Sequence, residues 1–237
     1  MRRGGLAAAA VLAALGACRA APPVAPGRTA DGFPIAHRPV ATIVSPQWSS
    51  EPERDQRREA GAVMAAAGVR PGMSVADLGA GQGYYTVRLA AKVGSGGRVL
   101  AEDVVPAYRD ALADRIYREK LDNVSVTLGR ADDPGLPPGS FDRIFLIHMY
   151  HEIASPYAFL WRMRAGLRAD GLVAVVDADR PTQAHGTPPA QLDCEFAAVG
   201  FAAVRHVAMP QAGGYLALYR AVGPAPAPRT ISACAAG

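Results

Sequence analysis

A chain of 237 residues, half of them hydrophobic, is long enough for one domain with a full core and short appendages. Its formal net charge is only +4, and its 25 basic residues, mostly arginine, are scattered rather than clustered, which argues against nucleic acid as a partner. Three cysteines do not make a disulfide framework.

At the N-terminus Arg2-Arg3 precede an apolar run over residues 6–15 that is too short to span a bilayer. Charge, short apolar stretch and the small residues that follow predict a secretory signal peptide over residues 1–18. The ending Leu15-Gly16-Ala17-Cys18 resembles a bacterial lipobox. That resemblance implies lipidation of Cys18 and an exported, periplasmic membrane-anchored lipoprotein, touching the membrane only through this anchor. The alternative is a cytoplasmic enzyme with a mis-called start. The next methionine, Met64, lies inside the first predicted helix, so a start there truncates the domain, whereas a GTG start at Val40 or Val44 stays open. Residues 19–48 are Pro-rich and aperiodic and read as an extended tether, with Trp48 near its end as a cap on the domain.

A domain over residues 49–222 follows. Ala60, Val63, Met64 and Ala67 recur at helical spacing, with Gly68 as the stop. A strand over residues 73–78 runs into a glycine turn and then a helix carrying Val87, Leu89, Ala90 and Val93, stopped at Gly94. A second strand covers residues 98–102, and Pro106 opens a helix with Leu112 and Ile116 on one face. Alternation over residues 124–128 predicts a third strand, and an apolar run over 141–147 a fourth. Ser155-Pro156 is an N-cap and first-turn pair for a helix expected to end at Asp170-Gly171, before a fifth strand over 172–176. A helix over 189–199 stops at Gly200, and strands over 201–207 and 215–219 read as a hairpin. Residues 223–237 read as a disordered tail. Cys194 falls in the last helix and Cys234 in that tail; a bond between them is open, and packing as a small residue is the expected role of Cys194. Strands alternating with helices predict an α/β, mostly parallel sheet.

The chemistry concentrates at Asp77-Leu78-Gly79-Ala80-Gly81-Gln82-Gly83, between the first strand and its helix. Glycine there lets the backbone turn tightly and approach a ligand. An acid, Asp103, follows 20 residues after Gly83 at the tip of the second strand, the usual partner of two ribose hydroxyls. Its neighbour Glu102 points to the other face by strand alternation. A dinucleotide fingerprint calls for glycine or alanine where this chain has Tyr84, which disfavours a nicotinamide-dependent oxidoreductase. Asp77-x-Gly79-x-Gly81-x-Gly83 instead resembles motif I of the class I S-adenosylmethionine-dependent methyltransferases. Residues 136–144 and 166–172 resemble that family's approach to strand four and its turn into strand five, so the likeness covers about residues 50–220. The run from Gly68 to Thr86 is also similar to a bacterial group of uncharacterised predicted methyltransferases. The resemblance implies a Rossmann-like, mostly parallel seven-stranded sheet with helices on both faces and an antiparallel last strand. It implies S-adenosyl-L-methionine as cofactor, held by Asp77, Gly79, Ala80, Gly81, Gly83, Asp103, Val104, Ala131, Asp132 and Ile147. Where the family has an acid that bonds the adenine amino group, this chain has Arg130, so Asp132 or backbone alone would make that contact.

In an open parallel sheet the ligand lies beyond the carboxyl ends of the strands. There this chain places His148-Met149-Tyr150-His151-Glu152, and His148, His151 and Tyr150 are the catalytic candidates. An imidazole suits proton removal from an acidic hydroxyl or thiol. His148-x-x-His151-Glu152 is not His-Glu-x-x-His and crosses a strand–loop boundary, so no metal site is expected from it. The Asn-Pro-Pro-Tyr signature of amine-methylating members is absent after strand four, which favours a small-molecule O-, S- or C-nucleophile. The methyl donor is made in the cytoplasm, so export keeps open a second reading, a non-catalytic binding or scaffold lipoprotein. The oligomeric state is not legible.

Overall fold

The computed structural model describes Met1, residues 27–43 and residues 50–235. Cys18, its signal and Trp48 lie outside the described residues. Among those described, no helix is long and apolar enough to cross a membrane. The elements in order are α1 (Glu51–Gln56), α2 (Glu59–Ala66), β1 (Ser74–Leu78), α3 (Tyr84–Val93), β2 (Arg98–Asp103), α4 (Pro106–Glu119) and β3 (Val124–Leu128). Then come β4 (Phe141–Ile147), α5 (Pro156–Arg164), β5 (Leu167–Asp177), α6 (Pro189–Ala198), β6 (Phe201–Met209) and β7 (Gly214–Ala221).

The seven strands form one sheet in the order β3-β2-β1-β4-β5-β7-β6. β1 pairs in parallel with β2 on one side and β4 on the other, and β7 runs antiparallel between β5 and β6. The chain winds outward from β1 through β3, then restarts at β4 on the opposite side. That reversal opens a crevice at the carboxyl ends of β1 and β4, where open α/β sheets take ligands. Strand alternation sorts the core onto the two faces. Leu78, Ile144, Leu146, Val173 and Val175 pack with α5 and α6 through Phe159, Leu160 and Phe196. Val75, Phe145, Ala174 and Val176 pack with α2 and α3 through Val63, Leu89 and Val93.

Four expectations are corrected. The tail is not disordered as far as residue 235: Ile231 and Cys234 are buried in the first core cluster, and Trp161 Nε1 donates to Pro226 O at 2.8 Å. Cys194 is not merely packed, because it forms a disulfide with Cys234. That bond crosslinks α6 to the tail, and the Cys234 amide donates to the Tyr157 hydroxyl at 2.7 Å. The supposed tether docks over residues 27–43: Phe33 is buried edge-on against Trp161, and Arg38 Nε donates to Glu195 Oε1 at 2.9 Å with both side chains almost fully buried. Residues 27–43 and the segment up to residue 235 therefore cover the same sheet face, through apolar residues too sparse to show a period. Finally, α5 stops at Arg164 and β5 begins at Leu167, so Asp170-Gly171 lies inside the strand. Phe141 pairs with Leu167 but Arg143 with Leu172, and this irregularity absorbs the polar residues that read as a helix end.

α1 carries no apolar period and was not anticipated. It is set by a capping box, in which the Glu53 amide donates to Ser50 Oγ while Glu53 Oε2 accepts from the Ser50 amide.

Candidate active site

The glycine turn after β1 holds Gly79, Gly81 and Gly83, all at positive φ. A Cβ on Gly79 would sit 2.9 Å from Met149 Cγ, and one on Gly83 would overlap Leu112 Cδ1, so neither position has room for a side chain. Asp103, at the tip of β2, ties the turn down. Its Oδ2 accepts the Gly81 amide and its Oδ1 the Val105 amide, each at 2.9 Å. Two lone pairs are thereby used, and a carboxylate has others to offer ligand hydroxyls.

Two cavities flank this turn and share Arg54, Gly79 and Ile147. The first, about 280 Å³, is lined by Gly81, Asp103, Val104 and Ala131, and by His148 and His151 across from them. The second, about 400 Å³, is lined by Asp77, Ala80, Gln82 and the aromatic pair Tyr84 and Tyr85. Arg54 reaches in from α1, stacks 3.7 Å from the Tyr84 ring centroid and pairs with Glu59 at 2.5 Å. Asp77 is fully buried and accepts the Thr86 hydroxyl at 2.6 Å. Burial pushes its carboxyl up to about 6, against the pull of that hydrogen bond.

Of the residues expected to hold the cofactor, two stand apart from both cavities. Gly83 serves the backbone as the N-cap of α3. Asp132 is drawn off by an ion pair with Arg162 on α5, so it does not reach the cavity, and Ala131 beside it does. Glu102 was expected on the far face but lines the first cavity together with Asp103. It is 1% exposed, its Oε1 has no hydrogen-bond partner among the described residues, and burial followed by the Asp103 charge pushes its carboxyl up to about 8.

The strand-four cluster divides. His148 sits at φ 52, its amide donates to Val176 O at 2.8 Å, and burial holds its pKa below the usual imidazole value. Residues 150–152 form a single 3-10 turn, which fans successive side chains to different sides. Tyr150 consequently turns away from the cavity into the core, where its hydroxyl donates to Glu195 Oε2 at 2.6 Å and Arg38 lies over its ring. It is removed from the catalytic candidates. His151 faces the cavity, with Nδ1 at 3.0 and 3.1 Å from the two oxygens of Asp177, the last residue of β5. The Ala178 amide and the Thr187 hydroxyl also donate to that carboxylate, at 2.9 and 2.8 Å. The Asp177 carboxylate accepts from each of these partners, so Nδ1 is the donating nitrogen, and in the neutral ring Nε2 is the one with the lone pair. Asp177 has no place in the sequence reading although it is an acid at a strand end, and Glu102 is placed there on the wrong face. His185, in the loop after β5, also lines the cavity and had no periodic signal.

The family model described as a methyltransferase domain matches residues 75–171. This is the fold of the class I methyltransferases. A SAM-dependent methyltransferase from Aquifex aeolicus superposes with a TM-score of 0.63 at 22% identity, covering 72% of this chain and 97% of that one. Among curated proteins, the nocamycin O-methyltransferase of Saccharothrix syringae is 40% identical over 73 residues, 31% of this chain and 26% of that protein. The ubiquinone/menaquinone biosynthesis C-methyltransferase UbiE of Hahella chejuensis is 29% identical over 119 residues, 48% of this chain and 47% of that protein. The chain thus spans less than half the length of either curated relative. The cofactor that goes with this domain is S-adenosylmethionine, and the residues present fit it. Asp103 and the orphaned Glu102 Oε1 offer acceptors for ribose hydroxyls, and Val104 and Ala131 an apolar wall for a base. Arg54 and the turn suit the charged amino-acid end.

Proposed function

We propose that this chain transfers the methyl group of S-adenosylmethionine to a small-molecule nucleophile held beside His148 and His151. The observation that carries the reading is that the glycine turn, Asp103 and the Asp177-oriented His151 line one cavity. The cofactor supplies an electrophilic methyl group on a positively charged sulfur. The residues of the chain align the acceptor with it, and positioning of this kind accounts for much of the barrier lowering in a bimolecular displacement. His151 Nε2 offers a lone pair for a hydrogen bond from an acceptor hydroxyl or thiol. The apolar wall of Ile147, Met149 and Ile153 excludes water that would compete as acceptor.

Calorimetry of the full chain tests this. S-adenosylhomocysteine is expected to bind and NAD not to bind. Asp103→Ala should weaken S-adenosylhomocysteine at least about tenfold, because a charge-assisted hydrogen bond contributes about 1.5–3 kcal/mol and 1.4 kcal/mol is one decade. Wild-type affinity in Asp103→Ala would refute the ribose assignment, and no binding by the parent chain would refute the function.

We also propose export with a lipid anchor at Cys18. The Cys194–Cys234 disulfide supports it, since such bonds persist in oxidising compartments. Fatty-acid labelling should disappear in Cys18→Ala; labelling that persists there overturns the anchor.

A further inference from the structure

The cavity wall opposite the glycine turn carries a donor set that methyl transfer does not by itself require. His151, Glu152 and His185 each present one ligand atom, and these atoms all lie within 4.8 Å of one another. The His151 and His185 rings meet edge-on, 5.4 Å between centroids at 90°. The first two residues come from the turn after β4 and the third from the loop after β5, so the fold, not a local motif, assembles the set.

We propose that His151, Glu152 and His185 bind one divalent transition-metal ion. Zinc bonds to nitrogen and carboxylate oxygen run to about 2.0–2.2 Å, so two ligands of one tetrahedral ion stand about 3.4 Å apart. Side-chain movements of about 1 Å close the observed set, within 4.8 Å, onto an ion. Two imidazoles and one carboxylate suit zinc, cobalt or iron, whereas magnesium and calcium prefer oxygen throughout. His151 is already arranged as such ligands are: its Nδ1 is bound to the Asp177 carboxylate, which is itself held by Thr187 and the Ala178 amide. A carboxylate behind a ligating imidazole fixes its tautomer and points the other nitrogen at the metal. Three protein ligands leave a position open toward the cavity, the pattern of reactive rather than structural sites.

The ion site stands on these residues alone. Its consequence for the acceptor rests on the methyl-transfer reading: the open position takes an oxygen, sulfur or nitrogen lone pair, which favours a heteroatom acceptor over a carbon one. In the metal-loaded protein the ion occupies the His151 lone pair and meets the acceptor in its place.

The test uses the full chain, without a histidine tag, stripped with chelator and titrated with Zn²⁺ alone by calorimetry and with Co²⁺ by visible absorption. One ion per chain is expected. Glu152→Gln and His185→Ala should each weaken binding at least tenfold while S-adenosylhomocysteine affinity stays within a few-fold, which reports an intact fold. Asp177→Asn should weaken it by ten- to a hundredfold through the orientation of His151. Absence of stoichiometric binding, or Zn²⁺ affinity unchanged in both Glu152→Gln and His185→Ala, overturns the site. Metal binding without S-adenosylhomocysteine binding would instead leave the site standing and remove the methyltransferase reading.

Discussion

Replacing Glu102 with glutamine should stabilise the cofactor-free protein, and by an amount that grows with pH. The carboxyl is 1% exposed and is held up at about 8 by burial and by the neighbouring Asp103 charge, against the Gly79 and Gly129 amides. In the unfolded chain an ordinary glutamate ionises near 4.3. Between these two values the unfolded chain has released the proton while the folded one retains it. Folding stability therefore falls as pH rises through that window, by about 1.4 kcal/mol per pH unit. The loss attributable to Glu102 is about 1 kcal/mol at pH 5 and about 3.6 kcal/mol at pH 7, levelling off above about 8 as the folded group ionises. Glutamine keeps the shape and the carbonyl that faces those amides, and it has no proton to lose. Shape matters here because a Cβ on Gly129 would already overlap Glu102 Oε1. Urea denaturation of Glu102→Gln and the parent, without cofactor and with the disulfide intact, reads the difference directly at pH 5, 7 and 8. A stability gap that does not widen between pH 5 and pH 7, or a variant less stable than the parent at pH 7, would refute the assignment of a buried, protonated Glu102.

Two further outcomes follow from the packing. Cys234→Ser opens a crosslink spanning 40 residues and should cost about 2–4 kcal/mol, with new protease cleavage in the tail before residue 235, seen by mass spectrometry. Tyr150→Phe removes the buried hydrogen bond to Glu195 and should lower stability by about 1–3 kcal/mol in thermal unfolding. The same Tyr150→Phe protein should bind S-adenosylhomocysteine within a few-fold of the parent, whereas a loss of tenfold or more would return Tyr150 to the site.

The first-strand turn, the strand-two acid and the alternating strands were legible because their signals are local. A glycine turn is written in adjacent residues, and the helical and strand periods each fit within a dozen. Placement by periodicity failed where a segment has no period. The capping box of α1 reads as loop, the irregular start of β5 reads as a helix end, and Phe33, Ile231 and Cys234 are single apolar residues in Pro-rich stretches. Side-chain direction failed in a different way. Within His148-Met149-Tyr150-His151-Glu152, one turn of 3-10 helix decides that His151 faces the cavity and Tyr150 the core, a choice that composition does not contain.

What the sequence determined by itself was the α/β alternation, the glycine turn with Asp103 and hence the nucleoside cofactor, since each rests on backbone geometry and short spacing. Only the tertiary structure decided the partners separated by long stretches of chain. It sets Asp177 behind His151 and His185 beside Glu152, and it draws Asp132 off to Arg162. It also pairs Cys194 with Cys234. The physical reason is the sheet order: β4 and β5 are neighbours whose carboxyl ends open on one crevice, so residues far apart in the chain meet there through packing that no local pattern encodes.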